Sequence, residues 1–136
     1  MRLENVHAEA QMFQKFSKLI KQLNLYLNHF PKAERHALAC RVRNTAYEMF
    51  DLMVESQKRY QKKTSLTNLD IAHERLRMQL HLAYELGYFR FKDGRLLDDA
   101  ASQTEGRRYT LISQMVDEIG RMIGGWIGKV KDEHKW

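Results

Sequence analysis

Apolar residues return in steps of three and four along four separate segments of this sequence, and few folds satisfy that pattern. The first segment reads Phe13, Phe16, Ile20, Leu23, Leu27, Phe30; the second Leu38, Val42, Thr45, Met49, Leu52, Ser56. The third reads Leu69, Ala72, Leu76, Leu80, Ala83, and the fourth Ile112, Met115, Ile119, Met122, Trp126. An α-helix turns once in about 3.6 residues, so each series lies along one side of a helix and must be buried. The spacing predicts helices over about 8–29, 32–63, 67–87 and 108–131. Pro31 ends the first or opens the second, Thr67 and Asn68 are cap candidates for the third, and Gly87 is its stop.

Short links between the first three helices imply antiparallel neighbours. The expectation is all-α, an antiparallel up-down-up-down four-helix bundle in one domain spanning 1–136. A length of 136 residues, 43% of them hydrophobic, suits one core. Only the last connection is long. Phe89 to Arg107 is polar and rich in turn formers, which predicts a surface loop; FRF before Asp93-Gly94 leaves a small hairpin as the alternative.

Two helices carry more than one buried stripe requires. On the second, Lys32, His36, Arg43, Tyr47, Phe50 and Val54 fall on a side of their own, away from Leu38, Val42 and Met49. Either a wide core absorbs Tyr47, Phe50 and Val54, or another protein surface covers them. On the fourth, Gly120, Gly124 and Gly128 recur every four residues. A glycine inside a helix costs roughly 0.5–1 kcal/mol relative to alanine, so close approach of a neighbouring helix is expected there. That neighbour belongs to the same bundle or to another subunit. The expected subunit-contact residues are Tyr47, Phe50, Val54, Gly120, Gly124 and Gly128.

No enzyme signature accompanies this scaffold. HExxH, GxSxG and a P-loop are missing from the sequence, and it does not hold the two Glu-x-x-His motifs that metal-carboxylate bundles pair across their core. The GRMIGGWIG segment reads as helix because the apolar period runs through it. Cys40 beside Arg41 reads as packing. The expectation is a non-enzyme with no catalytic residue, metal or cofactor. With one cysteine, no leader-like run in MRLENVHAEAQM and no stretch of roughly 18 apolar residues, a cytoplasmic protein off the membrane is expected.

Lys and Arg number 23 against 17 Asp and Glu, a formal charge of +6, which favours acidic partners. Lys58, Arg59, Lys62 and Lys63 cluster near one helix end with Tyr60 among them. Such residues grip RNA or DNA mainly through the phosphate backbone, and they also complement a helix dipole.

The segments FPKAERHALACRVRNTA, QKRYQKKTSLTNLDIA, LAYELGYF and YTLISQMVDEIGRMIGGWIGKVK resemble the accessory variability determinant (Avd) family, small partner proteins of diversity-generating retroelements. The resemblance runs from about Ala8 to Lys131, apart from the Phe89–Arg107 stretch. It implies a four-helix protomer assembled as a barrel-like homopentamer. It further implies a non-catalytic role in mutagenic cDNA synthesis and retrohoming, through binding to the reverse transcriptase and to template RNA or cDNA. The pool of expected polymerase or nucleic-acid contacts is Arg35, Arg41, Arg43, Lys58, Arg59, Lys62, Lys63, Arg75 and Arg77. The same broad family resembles four-helix proteins encoded in intervening sequences of bacterial large-ribosomal-RNA genes. A structural homo-oligomer without a polymerase partner is therefore the second reading.

Overall fold

The structure, a computed structural model, describes residues 3–91 and 98–136. Four α-helices account for most of them: α1 (Leu3–Leu27), α2 (Leu38–Lys58), α3 (Lys63–Glu85) and α4 (Asp98–Asp132), with a short 3-10 turn at Lys32–Glu34. Among the described residues there is no strand. Each helix packs against the next, and α4 closes the ring against α1.

Side-chain pairs fix the directions. Arg43, early in α2, reaches Asn24 late in α1 and Asn28 just beyond its end, and Gln57 at the end of α2 meets Met12 in the first half of α1. The Lys62 amide before α3 bonds the Lys135 carbonyl beyond α4. Tyr84 stacks on Tyr109 at the opposite ends of the same two helices. The four helices therefore alternate up and down.

Most of the residues the periodicity names are buried, but Ile20, Leu38, Leu52, Met115, Met122 and Trp126 are only half-buried. Phe13, expected in the core, is 53% exposed at the edge of the α1 stripe. Phe16, Leu23 and Leu27 from α1, Val42 and Met49 from α2, Leu69, Leu76 and Leu80 from α3, and Ile112, Ile119 and Ile123 from α4 are almost without solvent contact. Thr45 and Ser56, polar members of the α2 stripe, are buried with them. Thr45 satisfies its hydroxyl on the Arg41 carbonyl at 2.9 Å.

The helix ends depart from the expected bounds: α1 runs over Leu3–Leu27 rather than 8–29, and the others shift for local reasons. The second helix starts at Leu38 rather than near Lys32, because Ala37 takes a non-helical conformation (φ −117°, ψ −108°). Glu34 then accepts the Leu38 N–H at 3.0 Å, so a carboxylate four residues upstream does the work of an N-cap. Its other oxygen accepts the Tyr88 hydroxyl at 2.9 Å, which ties the start of α2 to the exit of α3 and raises the Tyr88 pKa.

At the far end α2 stops at Lys58, where Arg59 turns extended, and α3 starts at Lys63, ahead of the expected 67. Thr67 and Asn68 consequently lie inside α3 and cap nothing. Gly87 does end the third helix. At φ +79° it closes the turn with Gly87 N–H on the Tyr84 carbonyl and Tyr88 N–H on the Ala83 carbonyl. His134 makes the same closure after α4, at φ +59°.

The expected 89–107 loop is corrected most. Helix α4 begins at Asp98, so residues 98–107 are helical. The stretch has no apolar stripe to betray it, yet Ala100, Ala101, Gln103 and Glu105 are good helix formers and no proline interrupts them. The Asp93-Gly94 turn, and with it the hairpin alternative, lies outside the described residues. Phe89 and Phe91 are described, and they cap one end of the bundle. Phe89 is fully buried, edge-on to Tyr26 and Phe30 with ring centroids 5.9 and 5.5 Å apart. Phe91 stacks on His29 at 4.7 Å. The bundle thus has an aromatic pole here and a differently built pole at its other end.

Candidate nucleic-acid interface

The second pole forms where α1 begins, α2 ends, α3 begins and α4 ends. Residues Arg59 to Lys62 make the tight connection between α2 and α3. After α4 the chain turns back at His134, and the Lys135 carbonyl accepts the Lys62 N–H at 2.9 Å. That single backbone bond joins two basic segments far apart in sequence. Lys58, Arg59, Lys62 and Lys63 come from the connection; Lys129, Lys131 and Lys135 come from the end of α4 and its tail. Sequence reasoning found the first group and missed the second, because the second becomes a neighbour only through the His134 turn. Tyr60 stands 72% exposed in the connection.

These cations differ in what they are free to do. Arg59 is held by Glu55 one turn earlier, with Nε and Nη2 both 2.9 Å from Oε1. Lys62 points inward. Its ammonium donates to the Ser56 and Arg59 carbonyls, capping the end of α2. Burial, and then the charge of Lys135, lower the Lys62 pKa. Lys131 lies over the Trp136 ring at 4.9 Å, and Lys135 pairs with Glu133 at 3.6 Å. Lys58, Lys63 and Lys129 are exposed and engage no acidic partner among the described residues. They are the pole's available charges.

The remaining expected contacts lie elsewhere, so the nine do not form one patch. Arg35 and Arg41 are exposed near the aromatic pole. Arg43 is half-buried, donating to Asn24 Oδ1 at 3.0 Å and Asn28 Oδ1 at 3.1 Å, which stitches α2 to α1. Arg75 crosses to Glu48 of α2 at 3.1 Å. Arg77 grips Glu74 with two nitrogens, at 3.0 and 2.5 Å, and this bond holds the Glu74 carboxyl below its usual range. Exposed pairs of this kind contribute little to stability. They do leave Arg75 and Arg77 partly neutralised.

The expected subunit-contact residues separate in the same way. Tyr47 and Val54 stand 44% and 41% exposed on α2. Phe50 is half-buried and meets the 53% exposed Phe13 edge-on, ring centroids 6.0 Å apart. Gly120 has a neighbour inside its own protomer: a Cβ there would lie 2.7 Å from His73 Cε1. Gly124 and Gly128 face open space, with nothing within 4 Å of where a Cβ would be.

Among the described residues, no group of three or more His, Cys, Asp or Glu is placed to hold a metal ion. No helix among them is long and apolar enough to cross a membrane. Fold and surface together define a class: a small four-helix bundle with an aromatic pole at one end and a basic pole at the other.

The family model described as bAvd-like matches residues 11–130. The chain belongs to that family, and the matched span takes in the four buried stripes and the α2–α3 connection. No match was found among curated proteins or among solved structures.

Proposed function

We propose that this chain is a non-catalytic accessory protein of a diversity-generating retroelement. It assembles as a homopentamer and binds the element's reverse transcriptase together with template RNA or cDNA. The observation that carries the reading is membership of the bAvd-like family over residues 11–130, joined to a basic pole that gathers charge from the middle and from the end of the sequence.

Assembly draws support from two exposed apolar faces on opposite flanks of α2. Phe13, Tyr47 and Val54 line the α1 side. Ile71, Met78 and Leu82 lie along α3 on the side where Arg75 meets Glu48 of α2, each about half exposed. One self-complementary face closes a dimer, whereas two different faces that fit each other generate a head-to-tail ring. A native mass five times that of the 16.2 kDa protomer, retained at high salt, is the expected result. A stable monomer defeats the assembly reading. Gly124→Ala and Gly128→Ala add a second readout. Each is expected to stabilise the isolated fold by about 0.5–1 kcal/mol in urea unfolding, since space is open and alanine favours helix. If subunits meet there, native mass falls while fold stability rises.

Nucleic-acid binding is tested at Lys58 and Lys63, which are exposed and pair with no acid among the described residues, rather than at Lys62 or Arg59. Lys58→Glu with Lys63→Glu is expected to weaken RNA binding on the order of ten-fold near physiological salt. The slope of log K against log salt should shrink by about 0.7 for each single-strand phosphate that the protein no longer neutralises. Unchanged affinity and slope would remove the basic pole from the interface. Co-purification with the reverse transcriptase encoded beside the gene tests the partner, and its failure sinks that part of the proposal.

A further inference from the structure

A cleft of about 360 Å³ opens at the basic pole between the start of α1 and the end of α4, with the end of α2 as its third wall. Met12, Met122, Trp126 and Val130 make its apolar lining. Gly125 contributes to its opening, for nothing lies within 4 Å of where its Cβ would be. Gln11 and Gln57 bring amides into the wall. The Gln57 amide has found only the Met12 sulfur, 4.0 Å away, a weak partner that a better acceptor displaces. Lys62, Lys129 and Lys135 stand against Glu9 and Glu133, three cations to two acids, and the surplus lies on the side of the exposed Lys129.

This lining selects among ligands. An acyl chain would offer no acceptor to the Gln57 amide and no anion to Lys129. A second copy meeting the cleft across a two-fold axis would set one basic rim against another. A nucleic-acid duplex is too broad to enter. An unpaired nucleotide matches each element: a flat ring for the indole and the flexible thioethers, hydrogen-bonding edges for the Gln57 amide, and phosphates for Lys129. The volume lies at the lower end of small-molecule sites, roughly 300–1,000 Å³, which suits one nucleotide rather than several.

We propose that this cleft seats one unpaired nucleotide of a single-stranded RNA or DNA, its base beside Trp126 and Met12 and its phosphates toward Lys129. The proposal rests on the nucleic-acid reading above and deepens it. It gives the basic pole a preference for single strands that phosphate contacts alone do not supply.

The test uses the full chain with Trp136→Phe, which leaves Trp126 as its indole fluorophore. The probes are short oligo-U, oligo-dT, an abasic strand of the same length and a duplex. The base-bearing strands are expected to quench Trp126 and to bind roughly ten-fold more tightly than the abasic strand, the scale of one stacked base. Comparing oligo-U with oligo-dT assigns the preferred sugar. Gly125→Leu fills the cleft from an exposed helical position, so it is expected to fold and to bring the base-bearing strands down to the abasic affinity. Gln57→Ala, a smaller change, is expected to lose part of the same preference. Equal binding of base-bearing and abasic strands by the unmodified cleft overturns the proposal, while binding sensitive to Lys58 and Lys63 would survive. An unchanged ratio in both variants overturns it too, as does a changed native mass in Gly125→Leu without a changed ratio. Binding of no probe at all overturns the nucleic-acid reading itself.

Discussion

Replacing Arg108 by alanine is expected to lower the stability of the fold by about 3 kcal/mol. Arg108 is only 5% exposed. Its Nη1 donates to the carbonyls of Phe89 at 2.9 Å and Phe91 at 2.7 Å, and its guanidinium sits 3.7 Å over the Phe91 ring. One side chain therefore satisfies two backbone acceptors at the aromatic pole while holding Phe91 by its face. Alanine removes the cation and leaves both carbonyls without it. Arg108→Lys keeps a charge but loses the planar fork, so a smaller loss, about half, is expected. Urea unfolding followed by circular dichroism measures both, as a shift in midpoint at unchanged slope. A loss under about 1 kcal/mol for alanine would mean that Arg108 is incidental to the pole. The basic pole lies at the other end of the bundle, so RNA affinity should stay unchanged wherever the variant is fully folded.

Arg108 also shows where sequence reading stops. The four stripes were legible because burying an apolar side is a requirement on each helix by itself, and a period of three and four records it. Val42, Met49, Leu76 and Ile119 are core residues both by spacing and by exposure. The ends were not legible in the same way. Glu34 caps α2 from outside the helix and Lys62 caps it from beyond its end; each bond depends on how the connecting chain folds back. Residues 98–107 extend α4 without an apolar stripe, so periodicity carried no signal there. Gly87 was readable because a stop of that kind needs only its own positive φ.

The surface was half legible for a related reason. A run such as Lys58 to Lys63 is visible as charge, but what each cation does depends on partners. Arg59 and Lys62 are committed within the fold, whereas Lys58 and Lys63 are available. Lys129, Lys131 and Lys135 join them only because the tail reverses at His134. The second α2 stripe, with Tyr47 and Val54, was visible as surplus. Its exposure in the protomer leaves the covering surface to the assembly experiment.

Gly120→Ala is expected to destabilise the fold by about 2 kcal/mol, opposite in sign to alanine at Gly124 or Gly128. The three glycines share one spacing and one helix, so propensity alone predicts a gain of roughly 0.5–1 kcal/mol at each. His73 reverses the sign at Gly120. A Cβ there would lie 2.7 Å from Cε1 and 2.9 Å from Nε2 of the ring, and no real contact is that short. The ring cannot simply swing aside. Its Nε2 lies 2.8 Å from the Val116 carbonyl, and since a carbonyl only accepts, Nε2 carries the proton and donates. Moving the imidazole gives up that bond across the α3–α4 seam, and keeping it forces the two helices apart. The double variant separates the causes. In His73→Ala the space is vacant, so adding Gly120→Ala should then be neutral or slightly stabilising. The coupling between the two substitutions should reach about 2 kcal/mol in a double-mutant cycle. Additive effects would mean that the glycine is kept for some other neighbour. In that event the approach made at Gly120 lies between subunits, and native mass rather than urea midpoint will register its disruption.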